Sequence, residues 1–144
     1  MYLIDTNILI RFLLPNDPAY QSVRRAVTTL KTRRERAVTT SQNLIEFWRV
    51  CTRPRDKNGL GLSVAATNHR LQLLERHFQV LRDESTAYTR WKALVFAYGV
   101  MGKQVHDTRI VASMIAHGVT EILTLNVNDF RRYIEINPVT PDDI

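Results

Sequence analysis

The first residue with an unusual chemical setting is Asp5, in the opening segment MYLIDTNIL. It follows a short apolar run that we predict to be a buried strand, and an apolar helix resumes directly after Asn7. A carboxylate between apolar segments is costly to bury unless it is hydrogen-bonded, paired with a cation or bound to a metal. The position of Asp5 therefore indicates a chemical role.

Further polar residues have types and surroundings that suit the same role. Glu46 lies in NLIEFWRV, Asp107 lies in VHDTRIVA, and Asn126 and Asp129 lie in TLNVNDF. Each also has an ordinary structural interpretation. Glu46 suits the exposed face of an amphipathic helix, whereas Asp107, Asp129 and Asn7 suit helix caps or turns.

The elements that must position these residues are strands and helices that alternate along the whole chain. The predicted strands are residues 2–4, 37–40, 78–81, 121–125 and an edge strand at 134–136. Predicted helices lie between them, with Asp17, Ser63 and Asp83 as N-caps and further helices over 41–52, 106–117 and 128–133. This alternation predicts one α/β domain over residues 1–144, with a mostly parallel sheet of about five strands and helices on both faces.

In such sheets, ligands bind beyond the carboxyl ends of the strands. Asp5 and Asn126 follow strands at that edge, and Asp107 starts a helix that leaves from it. Carboxylates gathered there raise one another's pKa unless a cation is present. Oxygen ligands without a His or Cys cluster favour Mg²⁺ or Mn²⁺, which activates water and neutralises phosphate charge.

The charge balance favours a polyanionic partner. Lys and Arg number 20 against 14 Asp and Glu, a formal net charge of +6, and basic residues cluster in KTRRER and RPRDK. Nucleic acid is the natural partner for such a chain. Basic charge combined with an acidic metal pocket fits metal-dependent phosphodiester hydrolysis.

Other features exclude several classes of protein. Cys51 is the only cysteine, which excludes an internal disulfide and any multi-cysteine metal site, and we predict it to be a core residue. No apolar stretch approaches the roughly 20 residues of a membrane helix. The N-terminus lacks a signal-peptide pattern, so we expect a cytoplasmic protein without membrane contact.

Four segments together resemble the motifs of the PIN-domain nucleases: MYLIDTNIL, QNLIEFWRVCTRP, HDTRIVA and LTLNVNDF. Length and placement resemble, within that family, the VapC-type ribonuclease toxins of type II toxin–antitoxin pairs. The resemblance implies a three-layer α/β/α fold and Mg²⁺- or Mn²⁺-dependent RNA cleavage that leaves a 5′-phosphate and a 3′-hydroxyl. It implies that Asp5, Glu46 and Asp107 bind the metal, supported by Thr6 and Asn7.

The sequence departs from this pattern at Asn126, where many family members carry a fourth acid. Asn126 can offer an oxygen but no charge, and Asp129 is the residue that could replace it at the metal. We therefore expect one well-bound ion, with a second recruited by substrate phosphate. The resemblance also implies a cognate antitoxin that blocks the cleft and a homodimer, for which the apolar stretch 91–100 is a candidate face or simply core.

Residues that would contact RNA are less distinctive. Trp48 and Trp91 can stack on unpaired bases, although both fall in helical apolar patterns that also suit core packing. Basic side chains near the motifs are candidates for phosphate contacts, and each also suits an ordinary surface position: Arg11, Arg49, Lys103, Arg109 and Arg131.

Two other functions stay open. A haloacid-dehalogenase-like phosphatase would use Asp5 as nucleophile, but such enzymes need a second Asp where this chain has Asn7. A non-catalytic RNA-binding or antitoxin-binding domain would explain the missing acid at Asn126. A dinucleotide-binding enzyme is disfavoured, since no glycine-rich turn follows the first strand.

Overall fold

The computed structural model describes all 144 residues and has one central sheet of five parallel strands. The strands are β1 (Tyr2–Ile4), β2 (Ala37–Thr40), β3 (Gln79–Leu81), β4 (Glu121–Leu123) and β5 (Asn137–Val139). Their order in the sheet is β3-β2-β1-β4-β5. The predicted parallel sheet of about five strands is confirmed, and the strand order reverses direction between β1 and β4.

Seven helices connect or follow the strands. They are α1 (Thr6–Phe12), α2 (Tyr20–Thr32), α3 (Ser41–Thr52), α4 (Val64–His77), α5 (Ala87–Ala97), α6 (Gln104–Ala116) and α7 (Val127–Phe130). Two short 3₁₀ helices cover Arg55–Lys57 and Pro141–Asp143.

The helices form one layer on each face of the sheet. Since successive strand residues point to opposite faces, neighbouring residues of one strand pack against different layers. Ile4 and Leu123 pack in a core with α1, α2, α3 and α4, which also contains the fully buried Cys51. Leu3 and Ile122 pack in a second core with α5, α6 and α7. The fold is therefore the expected three-layer α/β/α sandwich.

Two of the three predicted N-caps are wrong. Ser63 does cap α4 by accepting a hydrogen bond from the Ala66 amide. Asp17 instead accepts from the Ala19 amide in a turn, and α2 begins only at Tyr20. Asp83 lies before α5 and accepts from the Ser41 hydroxyl, because a short turn separates β3 from the helix.

The last part of the chain also differs from the prediction. Residues 134–136 are not a strand: Ile134 is 90% exposed, and the edge strand β5 begins only at Asn137. The edge position explains why Pro138 is tolerated in β5, since a strand with one neighbour can lack an amide donor. The strand at 121 and the helix at 128 are shorter than predicted, ending at Leu123 and Phe130.

The apolar stretch 91–100 is divided between core and surface. Leu94 and Val100 are buried against the second core, whereas Phe96 is 91% exposed. Gly99 and Gly102 both have φ near +60°, so they form the loop that turns the chain from α5 into α6, as predicted. None of the helices has the length and apolar character needed to span a membrane.

Candidate active site

The candidate site lies at the carboxyl edge of the sheet, where the strand order reverses. Asp5 directly follows β1, and Thr124 directly follows the neighbouring strand β4. Asp5 is also the N-cap of α1, with its carboxylate accepting a hydrogen bond from the Thr6 amide. This crevice is the position at which parallel α/β sheets bind their ligands.

Four donors surround the carboxylate of Asp5, which is only 7% exposed. Its Oδ1 accepts from the Thr6 amide at 2.7 Å and from Asn43 Nδ2 at 3.4 Å. Its Oδ2 accepts from Asn7 Nδ2 and from the Thr124 hydroxyl, both at 2.7 Å. The buried charge is thus hydrogen-bonded on both oxygens, which answers the energetic problem posed by its apolar surroundings.

The donors to Asp5 are themselves fixed in orientation. Asn7 Oδ1 accepts from the Leu125 amide at 3.1 Å, which turns the Asn7 NH₂ group toward Asp5. Asn43 Oδ1 accepts from the Thr40 hydroxyl at 2.6 Å, which turns its NH₂ group in the same direction. These donors therefore hold Asp5 in a defined position.

Glu46 reaches the same site from α3. Its Oε2 accepts from the Thr6 hydroxyl at 3.2 Å, and its Oε1 lies 3.4 Å from the guanidinium of Arg49. Its side chain is 43% exposed, so it lies on the rim of the cleft with one oxygen bonded to the cleft residue Thr6.

Asp107 and Asp129 form the opposite side of the cleft. Asp107 is the fourth residue of α6 and Asp129 the third of α7, so neither is an N-cap, and the ordinary capping explanation is wrong for both. Neither carboxylate takes part in a hydrogen bond or an ion pair. Burial and the nearby charges of Asp129 and Glu46 raise the pKa of Asp107 to about 6, against smaller lowering effects of His106 and Lys103.

Asp5 has a similarly raised pKa, of about 6. Burial is the main cause, and the charges of Glu46 and Asp107 add to it, while hydrogen bonds from Thr124 and Thr6 oppose it. The three carboxylates therefore lie close enough to repel one another. This is the electrostatic condition that a bound cation relieves.

The donor types in the cleft fit a hard divalent cation, since they are carboxylate oxygens. However, no three His, Cys, Asp or Glu side chains lie close enough together to form a ready-made metal cage. Asp5, Glu46 and Asp107 thus lie near one another, and Asp129 lies near Asp107, without converging on one point. Their binding of a metal stays a prediction.

Asn126 lies in the short segment that connects β4 to α7. Its amide donates to the Thr124 hydroxyl at 3.0 Å, while its exposed side chain does not cap α7. Asn126 and Asp129 line a depression of about 530 Å³, together with Arg131 and Thr140. The structure therefore places Asn126 beside the acids but leaves its side chain free.

The residues predicted to contact phosphate have different partners in the structure. Arg11 donates to the Asn7 carbonyl and lies 3.7 Å from Asp17, so it supports α1. Arg109 donates to Gln42 Oε1 at 3.1 Å. Lys103 is near enough to Asp107 to lower its pKa.

The basic cluster KTRRER lies away from the cleft. Its last residue, Arg36, precedes β2 and donates to Gln79 at the start of β3. Glu35 within it pairs with the N-terminal ammonium of Met1 at 2.9 Å. Because the strands are parallel, these residues mark the amino edge of the sheet, opposite to Asp5.

Two site residues escaped the prediction: Asn43 and Thr124, both completely buried and both bonded to Asp5. The sequence feature that could have identified Asn43 is its polar side chain in the same apolar helix as Glu46. For Thr124, it is a hydroxyl directly after a predicted strand. Neither signal identifies Asp5 as the partner, because that contact depends on which strands are neighbours.

The PIN domain family model matches residues 2–135 of the chain. No curated protein matches it significantly. Among solved structures, the chain is similar to VapBC2 from Rickettsia felis bound to a promoter DNA fragment, with 15% identity, a TM-score of 0.70, and 96% and 97% of the two chains covered.

Two further structures show the same fold. A toxin–antitoxin complex from Klebsiella pneumoniae has 20% identity, a TM-score of 0.66 and 98% coverage of both chains. VapC20 from Mycobacterium tuberculosis, described as a toxin that cleaves the sarcin–ricin loop, has 15% identity and a TM-score of 0.65, with 96% and 100% of the two chains covered.

Proposed function

Because the chain belongs to the PIN domain family, we propose that it is a metal-dependent endoribonuclease of the VapC type. One observation carries this proposal: Asp5, Glu46 and Asp107, from three separate segments, share a cleft in which the carboxylate charges repel one another. In a basic protein, a bound cation would relieve this repulsion and would in turn bind the phosphate groups of a polyanion.

The roles of the residues follow from their contacts. Asp5 is a rigid ligand, because Thr6, Asn7, Asn43 and Thr124 hold both its oxygens. Asn7 is a positioning residue, since its amide orientation is fixed by the Leu125 amide.

Glu46 and Asp107 are further ligands on the rim of the cleft, and Asp129 supplies the additional acid beside Asp107. When bound, Mg²⁺ or Mn²⁺ supplies an activated water and offsets the charge that develops on the phosphate.

The same site disfavours the phosphatase alternative. A haloacid-dehalogenase-like phosphatase with Asp5 as nucleophile would need a second acid two residues further along the chain. The position two residues later holds Asn7, whose side chain donates to Asp5 instead of acting as an acid.

The proposed biological setting is a cytoplasmic toxin–antitoxin pair. The similar structure from Klebsiella pneumoniae is a toxin–antitoxin complex, which supports a small antitoxin as partner of this chain. The half-exposed rim residues Glu46 and Asp107 are accessible to such a protein. A homodimer also forms part of the proposal, with the exposed Phe96 as a candidate contact.

The direct test compares wild type with Asp5→Asn, each purified without an antitoxin and incubated with total RNA plus Mg²⁺, Mn²⁺ or EDTA. We expect cleavage by wild type with metal only, with 5′-phosphate ends, and none by the variant. Folded wild type that binds RNA but leaves it intact with both metals would instead support the binding-only domain.

A further inference from the structure

A second concave site lies next to the acidic cleft, between the start of α5 and the first turns of α6. It has a volume of about 400 Å³. Its lining combines two aromatic rings with charged groups, among them Asp83, Glu84, Tyr88, Trp91, His106 and Arg109. We call it the α5–α6 groove.

The two aromatic rings form a stacked pair. The ring centroids of Tyr88 and Trp91 lie 5.7 Å apart, and the ring planes are inclined by 28°. The indole Nε1 of Trp91 donates to the Val105 carbonyl at 2.8 Å, which fixes the ring against α6. Tyr88 is 67% exposed, so the stack is open to a further planar group.

The groove lies beside the candidate active site along α6. His106 and Arg109 line it, and between them in the sequence lies Asp107 of the acidic cleft. Gln42 holds this part of α6 in place, since its Nε2 donates to the His106 carbonyl at 2.7 Å and its Oε1 accepts from Arg109 at 3.1 Å. A strand of RNA lying across Asp107 would therefore meet the groove at a neighbouring nucleotide.

The charges in the groove favour a base over a phosphate. Asp83 and Glu84 repel phosphate, whereas carboxylates accept hydrogen bonds from the amino groups of bases. Asp83 is partly satisfied by the Ser41 hydroxyl and lies 4.0 Å from Arg109. The carboxylate of Glu84 has no partner within the chain and is the better acceptor for a ligand.

We propose that the α5–α6 groove binds an unpaired nucleobase of the RNA beside the bond that is cut, with preference for a base that carries an exocyclic amino group. Stacking on aromatic side chains is how proteins hold unpaired RNA bases. The identity of the ligand as RNA rests on the proposed ribonuclease function, whereas the stacking platform is a property of Tyr88 and Trp91 themselves.

A fluorescence titration tests the groove without requiring catalysis. The chain has two tryptophans, so the full-length variant Trp48→Phe reports on Trp91 alone. We expect a hexamer of cytidylate, added in EDTA, to quench this fluorescence and to bind more tightly than a hexamer of uridylate, which lacks the amino group. If neither oligonucleotide quenches the fluorescence, the proposal is overturned. If the two bind with equal affinity, the preference for an amino group is overturned.

A matched pair of variants locates the binding site. Tyr88→Ala removes the exposed ring of the platform, and we expect it to weaken cytidylate binding by about 5- to 100-fold. Ile134→Ala removes an exposed apolar side chain outside the groove, and it should leave binding unchanged. Equal weakening by both variants, or by neither, contradicts the proposed site.

The two proposals fail separately. If wild type cleaves RNA but Trp48→Phe shows no quenching, the groove proposal is wrong and the nuclease proposal stands. If quenching depends on Tyr88 but no metal supports cleavage, the base-binding groove stands and the nuclease proposal is wrong.

Discussion

The acidic residues on the two sides of the cleft differ in their hydrogen bonds. On the β1 side, each carboxylate oxygen of Asp5 accepts two hydrogen bonds. On the α6 side, the carboxylates of Asp107 and Asp129 accept none. Both Asp5 and Asp107 nevertheless have a pKa raised to about 6. In Asp5 the hydrogen bonds offset part of the burial; in Asp107 only the nearby Lys103 and His106 oppose it.

This difference separates two tasks within one site. A carboxylate held by four donors keeps its geometry whether or not a ligand is bound, which is what preorganisation requires. A half-buried carboxylate that repels its neighbours and has no hydrogen-bond donor gains most from a cation. We therefore infer that the β1 side sets the position of the metal and that the α6 side supplies much of the driving force for binding it.

The largest expected effect is that of Asp107→Asn on activity. We expect RNA cleavage to fall on the order of 10³-fold, with no loss of thermal stability in EDTA at pH 7.5, because the substitution removes a repelling charge and breaks no hydrogen bond. RNA cleavage assays and thermal melts measure the two effects. A large fall in melting temperature would show that Asp107 has a structural role and would remove the contrast with Asp5.

Thr124→Val tests the other side of the cleft. It removes a donor to Asp5 Oδ2 while keeping the shape of the side chain. We expect cleavage to fall about 10- to 100-fold and the free energy of unfolding to fall by about 1–3 kcal/mol. Steady-state kinetics and urea unfolding measure these changes.

Thr67→Val is the matched control for Thr124→Val. Thr67 is equally buried, but its hydroxyl donates to the Ser63 carbonyl in α4. The control should lose stability without losing activity beyond the unfolded fraction. Equal kinetic effects of the two variants would show that the Thr124 hydroxyl does not act through Asp5.

Asn126→Asp should have a smaller effect. The added charge faces the depression shared with Asp129, so we expect Mn²⁺ to bind up to about 10-fold more tightly. Asn68→Asp, at an exposed position on α4 outside the depression, controls for a general increase in negative charge. Isothermal calorimetry decides, and unchanged affinity and stoichiometry for Asn126→Asp would place Asn126 outside the metal site.

The smallest expected effect is on the pH dependence of stability without metal. The pKa of Asp107 is about 6 in the folded chain and near 3.8 in the unfolded chain, so the folded state holds the proton more tightly. Ionisation of Asp107 therefore lowers stability as pH rises from about 4 to 6. Asp107→Asn should melt like wild type at pH 4 and above it at pH 7.5, and a constant difference would contradict the raised pKa.

The sequence was most informative where a residue conflicts with its local surroundings. Asp5 directly follows a buried strand, and Asp107 lies in the first turn of an apolar helix, so both could be predicted as site residues without knowledge of their neighbours. The parallel sheet was predicted because alternating strands and helices leave few other arrangements. The limits of the elements were less well predicted, as in the turn that separates Asp83 from α5.

The hydrogen-bond network around Asp5 could not be predicted in the same way. Thr124 lies 119 residues from Asp5 in sequence, and their contact depends on the pairing of β1 with β4. The misplaced edge strand has a related cause. Ile134 has the stronger strand propensity, but pairing with β4 selects Asn137–Val139 despite its proline.

The most direct test of the central claim measures whether a cation joins the two sides of the cleft. Thermal melts of wild type, Asp5→Asn and Asp107→Asn are recorded with increasing Mn²⁺ and no RNA. At about 100 times its Kd, Mn²⁺ should raise the wild-type Tm by about 5–10 °C, and both substitutions should abolish this increase. A full increase in either variant would show that the cation does not bind between Asp5 and Asp107.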